Sequence, residues 1–327
     1  MIIVGLKGEA FSSVQKALDF LEAHPEEEPG ILVRPGVYKE RVVVRIPGVK
    51  ISGESREAAE KTVLTLGLGG RELLDDGKKR GTFRTYTCLV DAPDVRLGNL
   101  TIENSAGPGA EAGQAIALYA DGDRLIVDSC RLLGWQDTLF TAPLPPKEIE
   151  KDGFIGPKQF SPRENRKQYY KNCYIEGEVD FIFGGATAWF EGCTFFSKNI
   201  GREINGYVTA PSTPEGLEFG YVMENCLFTG NCPPRTVFLG RPWREWGKTV
   251  LLRCEIGPHI TACGWDDWGK KAAHETCFFG EFGCTGPGAD GSGRPHWTHR
   301  LAEEESRRYT KDQVLGDGTG QTPWWST

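Results

Sequence analysis

The chain has 327 residues, a formal net charge of -7 and the composition of a folded protein, with 42 glycines and 9 tryptophans. The acidic balance argues against a nucleic-acid backbone as ligand, while leaving room for an anionic polymer read by a local arginine. No apolar run reaches transmembrane length, so no membrane partner is expected, and residues 1–8 lack the basic start and long apolar stretch of a leader.

Residues 11–21 read as a helix. Val14, Leu18 and Leu21 make one apolar stripe beside Ala17, Ser12 or Ser13 can cap it, and Pro25 ends it. Short strands follow at 30–33, 37–38, 41–46 and 49–53, divided by Pro35-Gly36 and Pro47-Gly48. After a strand at 62–66 and a polar excursion over 67–81, the rhythm resumes at 87–91, 95–104, 115–119, 123–132, 168–177, 188–196, 221–228 and 250–256. A charged helix is predicted over 301–309, with Trp324 and Trp325 packing back along the strands.

Five of the ten cysteines, Cys130, Cys173, Cys193, Cys226 and Cys254, fall at one place in a recurring strand phrase, at steps of 43, 20, 33 and 28 residues. They read as small, reduced, buried side chains rather than a disulfide framework. An uneven repeat of short strands without crossover helices suits coils stacked so that each buries its neighbour's inward residues. The predicted fold is all-β: a right-handed parallel β-helix over 1–327 as a single domain, with an N-terminal capping helix and a C-terminal tail packed along the coils. A β-sandwich or propeller is the rival, although few Asn-Gly hairpin turns occur. His259, Cys263, His274 and Cys277 follow no zinc-site spacing, so neither a metal nor another cofactor is expected.

Asp137, in Gly134-Trp135-Gln136-Asp137-Thr138-Leu139-Phe140, and Asp180, in Val179-Asp180-Phe181-Ile182-Phe183-Gly184, are short acids among apolar neighbours. A carboxylate there is costly to desolvate unless something pairs with it or uses it. Locally, each also reads as a turn aspartate bonded to backbone amides. Leu239-Gly240-Arg241-Pro242-Trp243 adds a cation and an aromatic face, a set that suits a carbohydrate site. Residues 141–166, carrying Pro143, Pro145, Pro146, Pro157 and Pro162, form an insert between the two aspartates and are expected to wall or cover the site.

Together with Gly36-Val37-Tyr38-Lys39-Glu40, Gln114-Ala115-Ile116-Ala117-Leu118, Tyr207-Val208-Thr209-Ala210-Pro211-Ser212 and Gly286-Pro287-Gly288-Ala289, these phrases resemble pectin methylesterase, a carbohydrate esterase family, in family order across nearly the whole chain. The resemblance implies a parallel β-helix that hydrolyses galacturonate methyl esters in methyl-esterified homogalacturonan or oligogalacturonides, releasing methanol. It implies Asp180 as nucleophile, Asp137 as general acid and then base, Gln114 and Gln136 as oxyanion donors, and Arg241 as the partner of Asp180. Trp243 is implied to pack against the sugar, and Phe181 and Trp135 are further candidates for substrate contact. The chain departs from the family in the 43-residue interval between the aspartates, in Gly185 where relatives often carry asparagine, and in an opening without the usual glycine-aspartate phrase. A lyase or glycoside hydrolase on the same coil, and a non-catalytic carbohydrate binder, are the functional rivals. A monomer acting in the cytoplasm on imported oligogalacturonides is expected from the free thiols and the missing leader; a leader preceding the chain would make it secreted.

Overall fold

The computed structural model describes residues 1–318 and 322–326. The described chain winds as a right-handed parallel β-helix whose coils lay their strands into three sheets. The first sheet has eleven strands, from Ile2–Val4 to His299–Arg300; the second has eight, from Gly36–Tyr38 to Glu255–Ile256; the third has seven, from Val42–Val44 to Val237–Gly240. Stacking in register is what buries the interior. In the first sheet Val127, Tyr170, Phe190, Met223 and Leu251 align coil upon coil, each fully buried. Tyr170 and Phe190 stack with ring centroids 4.6 Å apart. Each such side chain contributes about 1.5–3 kcal/mol by leaving water.

The capping helix runs Val14–Ala23, starting later than predicted because Phe11 bridges to Val4 as extended chain and Ser13 takes the N-cap. Its open first turn is satisfied by Glu40, whose carboxylate accepts from Val14 N at 2.8 Å and Gln15 N at 3.0 Å. Val14, Ala17, Leu18 and Leu21 then close the end of the core.

The predicted strand over 123–132 is broken. Leu125–Asp128 belongs to the first sheet and Arg131–Leu133 to the second, with Ser129 between them at φ 55°. The same left-handed corner recurs at Asn99, Asn172, Gly192, Asn225, Arg253 and Gly283. Glycine and asparagine reach this conformation at low cost, which explains their frequency there. From Ser129 onward the residue after each corner is a cysteine, including Cys284. The sulfur is small enough to sit inside the bend and donates to carbonyls of the coil before, as in Cys173 Sγ to Val127 O and Cys254 Sγ to Met223 O, both 3.2 Å. The cysteine repeat therefore marks a corner rather than a strand centre. All ten cysteines are unpaired, and burial pushes the Cys130, Cys173 and Cys193 thiols well above their ordinary range. A thiol reagent added to the native protein is expected to modify the exposed Cys263 at once and Cys130, Cys173, Cys193, Cys226 and Cys254 only on unfolding. Rapid native labelling of those five would contradict the packing.

At the other end the chain folds back over the outer face of the first sheet. The charged helix predicted over 301–309 is instead two short ones, Glu303–Ser306 and Lys311–Leu315, the second restarted by Thr310, whose side chain accepts from Gln313 N. Val314 and Leu315 are buried against a cluster containing Tyr169, Trp189, Val222 and Val250, and Lys311 pairs with Glu191 at 2.7 Å.

The insert is folded without a strand of its own between Leu139–Thr141 and Lys167–Lys171. Arg163 donates to the carbonyls of Pro145, Lys158, Gln159 and Ser161 and so takes the place of a sheet ladder. Lys158 fastens the insert to the coils through Asp91 at 2.5 Å and Asp121 at 3.0 Å. Leu144 and Phe154 are buried on an outward aromatic ladder of the third sheet, where Tyr119, Phe140 and Phe183 stand in register.

Candidate functional site

The outer face of the third sheet carries the predicted site residues. Asp137 lies two residues before the first residue of the strand Leu139–Thr141, and Asp180 lies in Val179–Gly184 on the next coil. Leu139 pairs with Ile182, so the two aspartates occupy equivalent positions on adjacent strands, about 4.8 Å apart along the stack. The insert lengthens the interval between them to 43 residues of sequence without shifting this register. Both aspartates are left-handed, Asp137 at φ 65° and Asp180 at φ 51°, a conformation that is strained for a non-glycine residue. Pairing also slips between Val179 and Ile182.

That slip corrects one expectation. Phe181 and Ile182 both point into the coil, and Phe181 is 0% exposed in the central core, out of reach of any ligand. Phe181 was a candidate as an aromatic beside Asp180; the bulge turns Phe181 and Ile182 both inward and leaves the outer face to Phe183. Phe183 lies on the cavity wall, its ring 5.6 Å from Trp243.

A cavity of about 420 Å³ opens here, walled by Gln114, Gln136, Asp137, Asp180, Phe183, Arg241 and Trp243, and on the insert side by Ile149, Glu150, Gly153 and Phe154. Trp135 is half-buried off this wall, with the Lys198 ammonium 3.8 Å from its ring centroid. Arg241 grips Asp180 with both arms, Nε to Oδ1 at 2.9 Å and Nη2 to Oδ2 at 2.7 Å. The guanidinium is itself sandwiched between the rings of Tyr207 and Trp268, each 3.7 Å away. Such a fork fixes the carboxylate's plane as well as its charge.

The two carboxyls differ in their surroundings. Asp137 has no cation or hydrogen-bond donor of its own among the described residues. Burial first, then the Asp180 charge, push it well above the ordinary carboxylate range, against the pull of Arg241. Burial also raises Asp180, but the charge and hydrogen bonds of Arg241 act directly against that rise. Of the two, Asp137 is therefore the one whose surroundings favour holding a proton and Asp180 the one whose surroundings favour the charge. The side-chain amides of Gln114 and Gln136 have no hydrogen-bond partner among the described residues, so both can donate to a ligand.

Gln136 is backed by Gly109, whose N–H donates to the buried Glu178 Oε1 at 2.5 Å. A Cβ at Gly109 would lie 2.4 Å from Gln136 Oε1 and 2.6 Å from Glu178 Oε1, so only glycine lets the loop seat there. Sequence reasoning missed Glu178, Tyr207, Trp268, Arg244 and Lys270 as site residues. The Trp-rich, charged stretch 261–274 was the one available signal for Trp268 and Lys270, and nothing local said where it would fold.

The family model described as Pectinesterase matches residues 1–144 and 162–318, its break falling in the insert. Pectinesterase 31 of Arabidopsis thaliana is 33% identical over 321 residues, covering 96% of this chain and 91% of its own. A pectin methylesterase solved in complex with a hexasaccharide superposes with a TM-score of 0.78 at 27% identity, covering 98% of both chains. The pectin methylesterase from carrot superposes with a TM-score of 0.80 at 25% identity, covering 100% of this chain and 96% of its own. With the match reaching along both sides of the insert and over the whole β-helix, this chain belongs to the pectinesterase family and is an esterase.

Proposed function

We propose that the protein hydrolyses galacturonate methyl esters through a covalent intermediate on Asp180, with Asp137 moving the proton. The observation that carries this reading is the unequal pair: two buried aspartates in register on adjacent coils, one gripped by the Arg241 fork and the other without a cation of its own among the described residues. Asp180 Oδ attacks the ester carbonyl carbon, and the carbonyl oxygen takes the negative charge, facing the free amides of Gln114 and Gln136. Each amide donor of this kind is worth roughly 3–4 kcal/mol in the transition state. As the carbon–methoxy bond breaks, Asp137 gives its proton to the departing oxygen and methanol leaves. Asp137, now ionised, takes a proton from the water that attacks the acyl carbon of the resulting anhydride. This releases the galacturonate acid and restores both carboxyls. The rings of Trp243 and Phe183 offer apolar surface for the sugar. A glycosidase would not need two free amide donors facing its acid pair, which favours acyl chemistry over glycosidic cleavage.

The substrate reading is a methylated oligogalacturonide, because the fastened insert walls one side of the cavity with Ile149, Glu150, Gly153 and Phe154. A monomer in a reducing compartment goes with it, where the ten unpaired cysteines would persist. Methanol release measured from methylated trigalacturonate and from highly methylated pectin tests both readings. The trimer is expected to be turned over at least as efficiently per ester as the polymer. Turnover confined to long polymer would overturn the oligosaccharide reading, and absence of methanol from either substrate would overturn the esterase mechanism.

A further inference from the structure

One buried acid beside the site takes no part in the proposed chemistry. Glu178 lies two residues before Asp180 and is 2% exposed, yet no cation comes within ion-pairing distance of it among the described residues. Lys198 is taken by Glu176 at 2.9 Å. Burial pushes the Glu178 carboxyl up, against the pull of the Gly109 N–H and, from farther off, of the Arg202 and Lys198 charges. Among the described residues its side chain accepts one hydrogen bond, from Gly109 N to Oε1 at 2.5 Å.

That bond sits at the base of both free amides. Gly109 opens a tight turn in which Gly113 N donates to Gly109 O at 3.0 Å, and Gln114 is the next residue. The turn also packs on Gln136, since a Cβ at Gly109 would lie 2.4 Å from Gln136 Oε1 and 2.7 Å from its Cβ. The backbones of the two glutamines are tied together as well, Ala115 N donating to Gln136 O at 3.0 Å. Arg71 holds the exposed side of the turn, donating to the carbonyls of Ala110 and Ala112, and Glu178 holds the buried side. A turn that came loose there would carry both amides with it. A displacement of about 1 Å is enough to lower a rate about 10²-fold.

We propose that Glu178 is a positioning residue for ester hydrolysis: through Gly109 it holds the amides of Gln114 and Gln136 where the oxyanion forms. The role rests on the mechanism proposed above. A neutral acceptor would seat the turn at a smaller desolvation cost, and what the charge adds is a field on Asp137. Asp137 is faced by Asp180, Arg241 and Glu178. Burial and the Asp180 charge raise it most, Arg241 pulls it down, and Glu178 adds to the rise. The Glu178 charge therefore favours the protonated Asp137 that methanol departure requires.

Reach and charge are separable by two substitutions. E178D keeps the charge but draws the carboxylate back from Gly109, and E178Q keeps an acceptor for Gly109 N–H but removes the charge. Methanol release from methylated trigalacturonate is followed across the pH profile, with near-ultraviolet circular dichroism to show that each variant is folded; E178A repeats the test of reach if E178D is not. E178D is expected to lose about 10²-fold in kcat while KM changes less than about threefold, because the amides act on the transition state rather than on the bound ester. E178Q is expected to keep kcat within about threefold of wild type at its own optimum, with the alkaline limb displaced to lower pH, since Asp137 then gives up its proton more readily. A folded E178D with wild-type kcat, or one whose whole loss lies in KM, would overturn the positioning role. So would an E178Q that loses as much kcat as E178D, and an alkaline limb unmoved in E178Q would overturn the action on Asp137. A wild type that releases no methanol would overturn the ester-hydrolysis reading and this role with it, whereas wild-type release with kcat unmoved in E178D strikes Glu178 alone.

Discussion

Replacing Asp180 by asparagine is expected to lower kcat for methanol release by about 10³-fold or more while the protein remains folded. Asparagine keeps the shape of the side chain and one acceptor for Arg241, but it removes the nucleophile. If Asp180 merely steered a water or oriented Arg241, the neutral isostere would retain a measurable fraction of the rate. The change also leaves the guanidinium between Tyr207 and Trp268 without a counter-charge, in a pair whose side chains are only 14% and 10% exposed. A stability loss of about 1–3 kcal/mol is expected from that, because one charged hydrogen bond survives as a neutral one. Near-ultraviolet circular dichroism and a urea titration separate the two effects. A folded variant with more than about a tenth of wild-type kcat would exclude Asp180 as the covalent nucleophile.

The candidate pair Asp137 and Asp180 and the arginine beside them were legible in the sequence because each lies inside a short phrase whose composition is odd for a strand: an acid or a cation flanked by glycine and large apolar residues. The coil architecture was legible for a different reason. Stacking makes every coil repeat the same inward pattern, and the cysteine after each corner is the most regular part of it. The corners themselves were not legible, because Ser129 and Arg253 are not residues that announce a left-handed turn, and periodicity runs straight through them. Phe181 and Phe183 were indistinguishable for a related reason. Alternation assigns both to one face, and only the left-handed backbone at Asp180, visible in three dimensions, separates a core residue from a cavity wall. Trp268, Tyr207 and Lys270 join the site from other coils and loops, so their part depends on the register of the whole stack. The fastening of the insert by Lys158 was equally hidden, since its partners Asp91 and Asp121 lie on two earlier coils.

Asp137→Asn is expected to reduce kcat by about 10²–10⁴-fold, the range associated with loss of a positioned acid–base group. It is also expected to stabilise the fold at neutral pH. The sign follows from the direction of the shift. Burial and the Asp180 charge raise Asp137 well above the unfolded value of about 3.9, so the folded state binds a proton that the unfolded state releases. The contribution of Asp137 to stability is fully present below that unfolded value and is lost as pH rises toward and through the folded one. Asparagine has no proton to take up and escapes this loss. The stability difference between variant and wild type should therefore widen in favour of the variant as pH rises from about 4 to neutrality, while Asp180 contributes alike to both. The same shift shapes the rate. On the proposed mechanism, activity is expected to fall on the acid side as Asp180 takes a proton and on the alkaline side as Asp137 loses the one that methanol departure requires; the alkaline limb should vanish from the residual activity of the variant. Urea titrations across that pH range decide the matter. A difference that stayed constant would mean that Asp137 is already ionised in the folded protein, and the proton for the leaving methanol would then have to come from another group.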